Sequence, residues 1–157
     1  MPPVATFVSY RLGGADGVGV EARKWAWALQ QPGYATRRVA GALEDERGPD
    51  DVELPWLALD ALDALGAHDG IDGHDGIDPP ASARAELQDA LGRSDLVVVE
   101  NVCSLPINVA AARAAAAVVA DVDAHVLFHH HDLPWQRRAF RDFAEEFPPV
   151  GGSSAYY

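Results

Sequence analysis

Leu96-Val97-Val98-Val99 places four apolar residues in a row, and Glu100-Asn101 follows at once. A strand with one wet face alternates apolar and polar side chains. A strand buried on both faces does not alternate, and such strands stand at the centre of parallel sheets. Parallel neighbours cannot be joined by a tight hairpin, so each connection has to carry a crossover element, usually a helix. This one stretch therefore commits the chain to alternating strands and helices.

The rest of the sequence supplies them. Val4 to Tyr10 has the β-branched and aromatic content of a buried strand. A glycine-rich turn, Gly13-Gly14-Ala15-Asp16-Gly17-Val18-Gly19, follows it. Val18, Ala22, Trp25 and Leu29 then mark one face of a helix, with Trp25 as core, and Gly33 ends it after Pro32. Tyr34 to Ala40 reads as a second strand. Val52 to Leu59 reads as a third, kept at the sheet edge by Pro55. Ser82 is positioned to cap a helix running to about Leu91. Ser104 and Pro106 announce another through about Asp121, with Ile107, Ala111, Ala114 and Val118 on one side. His125 to His131 is the last strand. Asp132 can cap a final helix bearing Trp135, Ala139, Phe143 and Phe147, which Pro148-Pro149 stops.

The pattern predicts a Rossmann-like, doubly wound α/β domain over residues 1–150, with a mainly parallel sheet and helices on both faces. A flexible insertion is expected at about 66–80, where His68-Asp69-Gly70-Ile71-Asp72 repeats as His74-Asp75-Gly76-Ile77-Asp78, and a disordered tail at 151–157. The repeat lacks the spacing and closing glutamate of a calcium loop. A strand order of 3-2-1-4-5 would open a crevice between the ends of strands one and four. Gly13-Gly14, Glu100-Asn101 and His129 to Asp132 would meet there.

Composition narrows the partners. A net charge of −12 over 157 residues argues against a nucleic-acid footprint, which requires a basic face. The lone Cys103 excludes an internal disulfide and fits a reducing compartment. No apolar run approaches membrane-spanning length, so the expected location is cytoplasmic, with a peripheral membrane contact open to the basic cluster Arg137, Arg138 and Arg141.

The candidate chemistry lies at the strand ends. A strand, a glycine turn and a helix start in succession form a seat for a phosphate or other anion. Glu100 closes a buried strand, where a carboxylate needs water, a partner or a ligand. His129 and His131 would share one strand face, with Glu100 as a conceivable third ligand of an ion. The expectation is nonetheless no metal, because no second histidine motif of the usual spacing accompanies them. Gly17-Val18-Gly19-Val20-Glu21-Ala22 matches the dinucleotide fingerprint formally. It starts too late after the strand, and the acidic residue expected near Val39-Ala40-Gly41 is missing.

Taken together, Gly13-Gly14-Ala15-Asp16-Gly17-Val18, Glu100-Asn101 and His131-Asp132-Leu133-Pro134-Trp135 resemble the N-terminal half of a GT-B glycosyltransferase of family 4, over about Val4 to Phe147. The resemblance implies the acceptor-binding half of a retaining glycosyltransferase that uses a nucleotide sugar as co-substrate and no cofactor. It implies His131 as the catalytic residue. Gly13, Gly14, Asp16 and Gly17 would lie beside the donor phosphates, and Glu100, Asn101, His129 and Asp132 would shape the acceptor cleft. Nothing in the sequence resembles the family's second, donor-binding domain with its paired glutamates. The expectation is therefore a truncated unit, inactive alone, completed by a separate donor-binding domain or a homo-oligomer. The alternatives are a non-catalytic binding or assembly module with the same fold, and a nicotinamide-dependent oxidoreductase domain.

Overall fold

The computed structural model describes residues 1–58 and 80–148. The repeat at 68–78, most of the expected insertion and the 151–157 tail lie outside those residues. Five strands form the sheet: β1 Val4–Leu12, β2 Ala35–Leu43, β3 Val52–Glu53, β4 Leu96–Glu100 and β5 His125–His129. Their order is β3-β2-β1-β4-β5, and every pairing is parallel. Three α-helices are described: α1 Gly17–Gln30, α2 Ala83–Leu91 and α3 Val109–Asp121. The fold is α/β and Rossmann-like.

The sheet is apolar on both sides, which is why β4 reads as an unbroken run. Phe7, Leu12, Ala40 and Val98 pack with Ala22 beneath α1. Val8, Tyr10, Val97 and Val99 point the opposite way and meet Leu87 and Leu91 of α2 and Ala111, Ala115, Val118 and Val119 of α3. Val97, Val98 and Val99 are at most 1% exposed, and full burial of a valine contributes about 1.5–3 kcal/mol. The alanines let α3 lie close to the sheet: Ala111, Ala112 and Ala115 have no exposed surface.

Several local expectations change. The buried face of α1 is Gly19 and Ala22, continued by the partly buried Ala26 and Leu29. Trp25 sits on the flank of that face and is 37% exposed, so it is not core. The third strand is two residues long, because Pro55 has no amide for the ladder and opens a 3-10 helix, Pro55–Leu57. That helix lies against β2 at Gly41, where a Cβ would collide with the backbone of Ala58.

Ser82 occupies the N-cap position of α2, but its hydroxyl binds the Glu86 carboxylate at 2.6 Å and leaves the helix backbone uncapped. The cap of α3 is Asn108, whose Oδ1 accepts from the Ala111 amide, so Ile107 precedes the helix. β5 ends at His129. The segment after it forms two 3-10 helices, Pro134–Gln136 and Arg138–Phe143, in place of one α-helix. Its apolar stripe has little core to face: of Trp135, Ala139, Phe143 and Phe147, only Phe147 is buried.

Candidate functional site

The chain leaves β1 toward one face of the sheet and β4 toward the other, so the two departing loops part above their carboxyl ends. A cleft of about 470 Å³ opens there. β1 contributes Ser9, Tyr10 and Arg11 to its wall, and the start of α1 contributes Asp16, Gly17 and Val18. Asn101 comes from the end of β4, and His131, Asp132 and Arg137 from the segment after β5. A larger hollow of about 830 Å³ lies at the opposite end of the sheet, around Pro3, Thr36 and Arg93. Its buried Arg37 is already bonded to Thr6, Ser94 and the Ala90 carbonyl. Open parallel sheets bind ligands at their carboxyl ends, which favours the smaller cleft.

Asp16 holds the cleft wall in two ways. Its Oδ1 caps α1 by accepting from the Gly19 amide at 2.8 Å, and its Oδ2 pairs with Arg11 Nε at 2.8 Å. The cap directs the unpaired amides of the first turn, and the positive end of the helix dipole, toward this rim. Gly13 and Gly14 are not part of the wall. Gly13 takes φ +95° against Asp45, and a Cβ on Gly14 would meet the Glu44 carboxylate. An anion placed at those two glycines would face two carboxylates, whereas Gly17 and Val18 border the cleft itself.

Asn101 is the hub of the second loop. Its backbone is left-handed, φ +65°, a conformation asparagine tolerates better than most residues. Its Oδ1 accepts from Ser104 Oγ at 2.8 Å and from the amides of Asp132 and His131 at 3.2 and 3.3 Å. One side chain thereby fixes the exit of β5 to the exit of β4.

Glu100 lies below, without exposed surface and paired in register with His129. Its Oε2 is 2.7 Å from His131 Nε2 in a hydrogen bond. The same oxygen is 2.9 Å from His129 Nδ1, without the alignment a hydrogen bond needs, so that buried nitrogen and Glu100 Oε1 lack hydrogen-bond partners among the described residues. The two imidazoles are 4.3 Å apart, and the Trp25 indole covers His129 at 5.5 Å. That contact accounts for a tryptophan at the surface of α1. Although the chain leaves the sheet at His129, the donor atoms of Glu100, His129 and His131 still converge within 4.8 Å of one another.

Sequence reasoning passed over Arg11 and Tyr10. A lone arginine between a buried strand and a glycine turn was the available signal for the first. Tyr10 is 3% exposed and donates to the carbonyls of Val102 and Leu105, bracing the loop beside Asn101. Burial, aided by nearby Cys103, pushes its phenol far above the usual range. Cys103 is itself pushed up to about 12 by burial, which leaves it a packed thiol. Arg137 pairs with Asp132 at 2.8 Å on the cleft wall.

Comparison with protein-family models, curated proteins and solved structures gave no match to this chain. The molecule is thus placed by its own geometry: a Rossmann-like α/β domain with a cleft at its switch point. No helix among the described residues is long and apolar enough to cross a membrane.

Proposed function

We propose that the chain is the acceptor-side domain of a retaining glycosyltransferase that uses a nucleotide sugar. The observation that carries this reading is the meeting of the α1 start, Asn101 and His131 around one cleft. With Glu100 as carboxylate, its bond to His131 requires the proton on Nε2. In the neutral ring Nδ1 is then a lone-pair acceptor, suited to orienting a sugar or acceptor hydroxyl. The first-turn amides of α1, with Arg11 and Arg137 released from their pairs with Asp16 and Asp132, would meet the diphosphate whose charge grows as the glycosidic bond breaks. Asn101 holds the backbone that carries His131 and Asp132, and so keeps these groups in register.

The reading is tested by calorimetry and by turnover. The purified chain binds a nucleoside diphosphate weakly, in the millimolar range set by half a site, and Arg11→Ala abolishes the signal. It transfers no sugar from a panel of nucleotide sugars. Robust turnover by this chain alone, or binding indifferent to Arg11→Ala, contradicts the proposal.

A further inference from the structure

The chemistry of Glu100, His129 and His131 goes further than orienting one imidazole. A carboxylate oxygen and two ring nitrogens come from three positions on two neighbouring strand ends and meet below the cleft. Two features are awkward for a purely structural cluster. Glu100 is fully buried, yet Oε1 has no hydrogen-bond partner among the described residues, and His129 Nδ1 lies 2.9 Å from Oε2 without a hydrogen bond. Buried polar atoms left without a partner are costly, and here they lie where the donor atoms of three metal-ligating side chains face one another. A cation held among these donors gives Nδ1 of His129 a partner and sits against the buried Glu100 carboxylate.

We propose that Glu100, His129 and His131 form a binding site for a divalent transition metal of the zinc class. Two imidazoles and one carboxylate are a borderline-soft donor set that suits zinc, cobalt or nickel and suits magnesium or calcium poorly. Tetrahedral zinc with bonds near 2.0–2.1 Å holds its donors about 3.3 Å apart. The present contacts of 2.7 and 2.9 Å therefore need to open by roughly half an ångström as the ion replaces the shared proton. His131 lines the cleft, which gives the ion a route in and leaves a coordination position facing ligand or water. The Trp25 ring makes a tilted contact with His129. Ion binding moves the His131 proton from Nε2 to Nδ1, turning that atom from acceptor to donor. The site stands whether or not the domain serves glycosyl transfer.

The test uses the full chain, freed of metal by chelator and titrated with Zn²⁺ in the calorimeter and with Co²⁺ followed by visible absorption. The expected result is one equivalent of each, with Co²⁺ bands of a four- or five-coordinate nitrogen–oxygen site. Glu100→Gln and His129→Ala each weaken binding at least tenfold, in variants whose circular dichroism matches the parent. His68→Ala/His74→Ala, which alters the repeat, leaves one site intact. The proposal is overturned if no ion binds, if both ligand variants bind like the parent, or if the repeat variant abolishes binding. Should Glu100→Gln fail to fold, His129→Ala decides alone.

Discussion

Asn101 concentrates more of the site's geometry than any other residue. It combines a left-handed backbone with three accepted hydrogen bonds, two of them from amides that set the course of the chain at His131 and Asp132. Replacement by alanine removes the bonds and keeps an unfavourable φ, so Asn101→Ala is expected to cost about 2–4 kcal/mol in denaturant unfolding. Asn101→Gly loses the same bonds but relieves the backbone, and should be milder by about 1 kcal/mol. Equal stability of parent and alanine variant, or alanine above glycine, would contradict the account. That Asn101 would stand at the cleft was legible in its position after an unbroken apolar strand. Its role as a staple was not, because a left-handed φ and a partner thirty residues away leave no local pattern. Glu100 divides: its burial followed from the strand and the register sets it beside His129, whereas its bond to His131 arises only because the chain leaves the sheet after His129.

At the level of elements, α1 shows where periodicity misleads. Val18, Ala22, Trp25 and Leu29 fit a helical face numerically, but the contact with the sheet is made by Ala22 and Ala26, and Gly19 is buried against Gly14 of the preceding turn. Small residues give a weak hydrophobic signal and permit close packing. The sequence suggests an anion seat in the turn before α1, and in the structure its glycines divide: Gly17 borders the cleft and Gly13-Gly14 faces Glu44 and Asp45. Asp16 links the element to the site, since its carboxylate caps the helix while lowering the positive potential at its start. Asp16→Ala should lose about 1 kcal/mol of stability with the cap. Asp16→Asn keeps the accepting oxygen and sheds the charge, so its melting temperature should stay near the parent's. Diphosphate binding in that variant should strengthen by about twofold to fivefold, the scale of one part-exposed charge. Weaker binding in Asp16→Asn would assign the carboxylate a direct contact with the ligand. The segment after β5 was misread for a different reason: a helical stripe without a sheet face to cover settles into 3-10 turns.

Across the whole molecule, the parallel sheet is announced by β4, which is apolar on both faces and lies inside the sheet between β1 and β5. The switch point then lies between β1 and β4 by connectivity alone, and the cleft forms there regardless of which side chains line it. Those side chains carry the functional reading, and their convergence is what the proposed role stands on. The direct test is an amide ¹H–¹⁵N titration of the full chain with a nucleoside diphosphate. The account predicts shifts gathered at Gly17, Val18, Asn101, His131 and Asp132. Shifts gathered instead around Thr36, Arg93 and Ser94 at the far end of the sheet, or none at millimolar ligand, would contradict it.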